Sequence, residues 1–343
     1  MAIARDRNIY FSFFMFTADL RPDDRVYTQE IVRHIRKLRE MGYDGFDLPI
    51  APGNTTDHQG EVESYSRFRE ELDKAGLGDV KFTTNVAATR TFDPSSSYAE
   101  QREVAFAYLK SRVDITKALR ADIMAGPIVF PYSVFPTTDA NQPIWSNALQ
   151  DWAEPRYRNA QPLIERLGEH ADGQSVKVAI EPVDHWETPS PNMVREVMNF
   201  LRHVRSPQVG VCIDSAHVVL GSDGPEVVTG EVRKVSKSRR LHYVHISAPD
   251  RGAVHDSWIP WKPFLGPILE GYDGPFLVEV FNAIPVFLNG LRLTRRKFSI
   301  PGEDASIPGC PDAYEIARLA ILEVRRQIAE VAGPEPSSSK KVG

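Results

Sequence analysis

Residues 176–181 read Val-Lys-Val-Ala-Ile-Glu, a short apolar run closed by a carboxylate. Three later runs repeat the pattern: Val209-Gly-Val-Cys-Ile-Asp214, Leu241-His-Tyr-Val-His245 and Pro275-Phe-Leu-Val-Glu279. Each reads as a strand apolar on both faces, as in a parallel sheet covered on each side. A carboxylate or imidazole closing such a strand is costly unless something pairs with it. Three carboxylates and one imidazole brought together suit a divalent cation such as manganese, magnesium or zinc. Structural polar caps that never meet are the plainer alternative, but four consecutive strands ending in ligand types argue against it. The pattern points to a metal enzyme.

Outward from these runs, strand-like and helix-like segments alternate along the whole chain. Strands are expected at 8–16, 45–50, 80–88, 122–129, 176–183, 209–216, 241–248 and 274–282, and helices near 28–41, 61–75, 98–120, 154–171, 190–204, 225–237, 259–270 and 312–332. The first helix sets Ile31, Ile35 and Leu38 on one face and stops at Gly42; the last sets Ile316, Leu319 and Leu322 at similar spacing. Eight such units predict an α/β fold, a (β/α)8 barrel, as a single domain over 1–333. Residues 334–343 are small, polar and proline-bearing and read as a disordered tail. Two stretches exceed a minimal barrel: 130–153 after strand four, with Phe130, Tyr132, Phe135, Trp145 and Trp152, and 281–311 after strand eight. Long aromatic loops are usually functional or interface-forming. The second carries Phe287, Leu288, Leu291, Leu293 and Phe298 among cations, including the basic run Arg292–Lys297, and is expected to form part of a subunit interface.

A net charge of −5 gives no support for nucleic-acid or membrane-surface binding. Of the two cysteines, Cys212 lies inside an apolar strand, so no disulfide framework is implied. The first residues lack the apolar core of a signal peptide and no stretch approaches transmembrane length, so a cytoplasmic enzyme is expected.

In a parallel barrel the carboxyl ends of the strands open onto one mouth, so Glu181, Asp214, His245 and Glu279 would converge on a single ion. Glu187, His217 and Arg251 follow closely and would ring the same mouth with groups able to hold sugar hydroxyls or a carbonyl oxygen. Here the chain resembles the sugar isomerase and epimerase superfamily with xylose-isomerase-like barrels, especially the ketose 3-epimerases. The resemblance rests on Glu-x5-Glu (Glu181, Glu187), Asp-x-x-His (Asp214, His217), His-x5-Arg (His245, Arg251) and Tyr272-Asp273-Gly274 leading to Glu279. It implies a Mn2+-type ion (Mg2+ or another divalent ion being alternatives) held by Glu181, Asp214, His245 and Glu279. It also implies that Glu181 and Glu279 exchange a proton on opposite faces of a sugar carbon.

One departure matters. Where the epimerases commonly read Asn-Arg-Phe-Glu, this chain reads Asp184-His-Trp-Glu187. Arginine keeps its proton, whereas a histidine can accept and deliver one. His185 is therefore a candidate acid/base, a hydroxyl-binding or Asp184-paired histidine being the bland alternative. With Trp186-Glu-Thr-Pro189, Ser247-Ala-Pro-Asp-Arg-Gly252 and the segment 281–298, the chain is similar to the large subunit of bacterial C-glycoside deglycosidases. That resemblance implies a carbon–carbon lyase acting on 3-oxo-C-glucosides such as flavonoid glycosides, working with a small second subunit in a hetero-oligomer. Removal of the C2 proton by His185 or a metal-bound glutamate would be followed by elimination of the aglycone. A ketose 3-epimerase or sugar isomerase using the same metal site is the alternative.

Overall fold

The computed structural model describes residues 7–18, 20–51, 56–137, 140, 147–221, 224–282, 298–301 and 309–333. Strands and helices alternate: β1 (Ile9–Ser12), α1 (Arg25–Glu40), β2 (Gly45–Pro49), α2 (His58–Lys74), β3 (Lys81–Asn85), α3 (Ala99–Ala118), β4 (Ile123–Gly126), α4 (Asn147–Gln174), β5 (Lys177–Ile180), α5 (Val194–Phe200), β6 (Val209–Asp214), α6 (Ser215–Leu220), α7 (Pro225–Lys237), β7 (Leu241–Ser247), α8 (Trp261–Leu269), β8 (Phe276–Glu279) and α9 (Ala313–Ala332). All strand pairs are parallel, and β8 returns to β1 with Tyr10 opposite Leu277. The sheet is thus the closed eight-stranded barrel that the alternation predicts.

Successive side chains on a strand point to opposite faces, so every second residue looks into the barrel. Tyr10, Ile123, Ala125, Ala179, Cys212, Tyr243 and Leu277 form a plug inside it. Two residues further along β5 to β8, the same parity carries Glu181, Asp214, His245 and Glu279. The other strand faces pack against the helices in a larger core that includes Ile180, Ile213, Val244 and Val278. Close strand approach depends on Gly126, whose φ is +135° and where a Cβ would stand 2.1 Å from the Val86 carbonyl oxygen.

Several boundaries differ from the sequence expectation for local reasons. The first strand stops at Ser12, whose hydroxyl accepts from the Phe14 amide and opens a 3-10 turn over Phe13–Met15. The sixth strand stops at Asp214, which caps α6, a helix the periodicity did not show. The expected loop 130–153 is shorter, because α4 starts at Asn147, takes in Trp152 and runs through Pro155 and Pro162. On α9 the buried face follows Ile316, Ala317, Ala320, Ile321, Val324 and Ile328, whereas Leu322 is 53% exposed. The tail 334–343, the basic run Arg292–Lys297 and the apolar residues Phe287, Leu288, Leu291 and Leu293 lie outside the described residues. Among the described residues, no helix is long and apolar enough to cross a membrane.

Candidate metal centre and active site

The four strand-end residues meet. One ligand atom from each of Glu181, Asp214, His245 and Glu279 lies within 4.8 Å of the other three, and all four side chains are buried. His245 Nδ1 faces Glu181 Oε1 at 3.1 Å and Glu279 Oε1 at 3.9 Å. Yet Glu181 Oε1 and both ring nitrogens of His245 lack any hydrogen-bond partner. Buried polar atoms are seldom left so, because each costs about 1–3 kcal/mol. Oxygen and nitrogen ligand atoms facing one another this closely, without hydrogen-bond geometry, fit a cation between them. The donor set of three carboxylates and an imidazole agrees with that fit.

Around this set lies a tight frame. Asp214 Oδ1 accepts from the Ala216 amide (2.6 Å), the His217 amide (3.3 Å) and the Ser247 hydroxyl (2.5 Å). Arg251 spans two ligands, with Nη1 3.1 Å from Asp214 Oδ2 and Nη2 2.7 Å from Glu279 Oε2. Arg251 also donates to Ser247 Oγ at 2.8 Å and stacks over the Phe281 ring at 4.5 Å. Its φ of +61° is a left-handed conformation, an expense of roughly 1–3 kcal/mol that such contacts offset.

Electrostatics follow from this crowding. Burial alone would push the Asp214 carboxyl up, but Arg251, His217 and His245 hold it below the usual carboxylate range. For Glu279 burial wins over Arg251 and His245, and its carboxyl is pushed up to about 8. Burial and Arg251 disfavour charge on His217, yet the carboxylates of Asp214, Glu187 and Asp184 raise it to about 10. His245 is likewise raised despite its burial, by Cys212 and Glu181. Ligation requires neutral imidazole, so an incoming cation displaces that proton.

A second buried group adjoins the first. His217 Nδ1 lies 3.1 Å from Asp184 Oδ2, while Nε2 lies 3.6 Å from Glu187 Oε2 and 3.9 Å from Glu181 Oε1. Glu187 Oε1 accepts from the Tyr132 hydroxyl at 2.6 Å, and its Oε2 accepts from the Asp184 amide at 3.2 Å. Glu181, Glu187, His217, Arg251 and Glu279 line one cavity. Part of its wall is apolar, with Phe14 stacked on Phe281 (centroids 4.7 Å apart, planes at 15°) together with Val183 and Pro127.

Five of the seven ligand or substrate-contact candidates expected from the sequence therefore line this cavity, and the other two, Asp214 and His245, adjoin it through the cation-ligand set. His185 stands apart: it is exposed, sets its ring edge-on to Trp186 at 4.8 Å and is absent from the cavity wall. Phe14, Asn85 and Ser247 were not singled out by the sequence. Asn85 carries the signal that marks the ligands, a polar residue closing a buried strand. Ser247 could have been found by parity, two positions beyond His245. Phe14 could not, because its place depends on the turn at Ser12.

Comparison with known proteins agrees with the architecture. Residues 35–297 match the family model described as xylose isomerase-like TIM barrel. A ketose 3-epimerase of Arthrobacter globiformis is 25% identical over 260 residues, covering 73% of this chain and 77% of that one. A crystal structure from Anabaena variabilis, assigned provisionally to the sugar phosphate isomerases/epimerases, superposes with a TM-score of 0.91 at 55% identity, over 95% of this chain and 99% of that one. The D-allulose 3-epimerase of Methylomonas sp. shares the fold, with a TM-score of 0.72 at 18% identity over 95% and 100% of the two chains. None of these three relatives is described as a C-glycoside deglycosidase. With more than half its length matched, the chain belongs to the xylose isomerase-like TIM barrel family.

Proposed function

We propose that the protein is a divalent-cation-dependent sugar epimerase or isomerase that moves a proton at a carbon beside a keto group, with a ketose or keto-sugar as substrate. The observation that carries this reading is the meeting of Glu181 and Glu279, from β5 and β8, at one cavity within a buried cation-ligand set. The epimerase relatives support it. Glu181 and Glu279 take and return the proton at the substrate carbon, as paired carboxylates do in general acid–base catalysis. His217 and Arg251 hold substrate oxygens, and Glu187, fixed by Tyr132, orients His217 and a hydroxyl. When bound, the cation supplies Lewis acidity to the carbonyl and hydroxyl oxygens. Manganese is the proposed ion, and its oxygen-rich ligand set fits magnesium as well.

The test is NMR of ketoses such as fructose or tagatose in deuterated solvent with Mn2+. Wild type should exchange a carbon-bound hydrogen and interconvert epimers. Glu181→Gln and Glu279→Gln should each lose about 10²–10⁴ in rate. Chelation should abolish turnover and lower Tm, because a cation bound only by the native state stabilises it by mass action. Absence of exchange into any free ketose or keto-sugar would sink the reading.

A carbon–carbon lyase acting on 3-oxo-C-glucosides is the second reading. The Phe14–Phe281 wall favours it, with Trp186 52% exposed beside His185, since an aromatic aglycone needs apolar surface next to the sugar site. In this reading His185 acts as the general acid/base at the C2 proton, the small second subunit assembles with the chain, and segment 281–311 takes part in the interface. His185→Ala should then keep its cation yet lose most aglycone release, and His185→Arg should fail equally. If the enzyme is an epimerase alone, His185→Arg should be tolerated and no aglycone should appear, with or without a small subunit.

A further inference from the structure

A soft ligand lies directly beneath the cation set. Cys212 precedes Asp214 by two residues on β6, so it faces the barrel interior one step lower, opposite Tyr243 in register. It is fully buried. One ligand atom each of Glu181, Cys212 and His245 lies within 4.8 Å of the other two. The carboxylate oxygen and imidazole nitrogens of this trio are the same atoms that lack hydrogen-bond partners. The barrel interior holds another buried carboxylate, Asp47, whose Oδ2 is also without a partner.

The geometry points to a second, overlapping cation site, Glu181–Cys212–His245, that takes thiophilic cations such as Zn2+, Co2+ or Cd2+. Manganese and magnesium favour oxygen ligands and take the carboxylate-rich set above, whereas a thiolate selects softer ions. On binding, the sulfur–metal bond forms as the thiol proton leaves to solvent, with no change of oxidation state. Because Glu181 and His245 belong to both sets, occupancy is exclusive, and a thiophilic cation competes with the hard one. The site itself stands on geometry; only the resulting inhibition rests on the proposed epimerase reading.

The test uses the whole chain stripped of metal by chelation, then titrated with Co2+ and followed by absorbance. Wild type should develop a thiolate-to-cobalt charge-transfer band in the near ultraviolet. Cys212→Ser should lack the band and bind Co2+ and Cd2+ about ten-fold or more weakly, while its Mn2+ affinity by calorimetry stays as in wild type. Unchanged Mn2+ affinity also shows that the variant is folded. Co2+ binding to wild type without the band, or a band that persists in Cys212→Ser and so arises from Cys310, would overturn the proposal. Absence of ketose exchange by the Mn2+-loaded wild type, with the Co2+ band intact in the titration, would instead count against the epimerase reading alone.

Discussion

At the scale of single residues, Arg251 decides how the site tolerates its own charge. Two buried carboxylates, Asp214 and Glu279, share its guanidinium. Breaking a buried pair by removing one partner is costly, because the remaining charge is left without compensation. Arg251→Ala should therefore lower stability by about 3–5 kcal/mol in metal-free protein. Added Mn2+ should recover more stability in the variant than it adds to wild type, since the cation compensates the same two carboxylates. Chemical denaturation with and without Mn2+ measures both quantities, and equal cation effects in the two proteins would contradict the account. The neighbouring pair Asp184 and His185 shows how far adjacent residues can diverge. Asp184 is buried against His217, while His185 is exposed on Trp186.

At the scale of elements, Asp214 serves two structures at once. It ends β6 beside the cation set, and its side chain accepts from the Ala216 and His217 amides as the cap of α6. Asparagine caps about as well as aspartate but ligates a cation poorly, whereas alanine does neither. Asp214→Asn and Asp214→Ala should both lose cation affinity by calorimetry. Asp214→Ala should be less stable than Asp214→Asn by about 0.5–2 kcal/mol, the usual worth of a cap. Equal melting temperatures for the two variants would show that the cap carries no weight. The turn after β1 acts at the same scale. By ending the strand at Ser12 it sets Phe14 against Phe281, which lies just beyond β8, and so joins the two strands that close the barrel.

At the scale of the whole molecule, stability should depend on pH through His242, at the opposite end of β7 from the cation set. Burial pushes its imidazole down from 6.5 to about 4, assisted by the charge of Lys177, and its Nε2 lies 3.0 Å from the Pro207 carbonyl oxygen. A group depressed in the folded state binds fewer protons there than in the unfolded chain. Its contribution is thus present above pH 6.5 and lost as pH falls toward 4, by roughly 3 kcal/mol in all. His242→Gln, which can still donate to Pro207, should flatten the acid limb of stability against pH. Asp47, raised to about 6 by burial, acts in the opposite sense over much of the window, so the informative quantity is the difference between variant and wild type. An unchanged limb would place the acid sensitivity elsewhere. Much of this molecule was legible in the sequence because alternation along a strand is a short-range property of the backbone. Period two by itself set Ala179, Cys212, Tyr243 and Leu277 below Glu181, Asp214, His245 and Glu279, and apolar runs separated by helical stripes implied a closed parallel barrel. Glu187, His217 and Arg251 were legible for the same reason, following ligand strands by short loops onto one mouth. Tertiary structure alone decided which atoms face one another: the clasp of Arg251 on two carboxylates, the burial of Asp184 beside an exposed His185, and the Phe14–Phe281 wall. It also decided which stripe of α9 is buried, passing over Leu322 for small alanines. These outcomes depend on strand ends brought together by barrel closure and on helices fitted against a curved sheet, distances that no local pattern along the chain encodes.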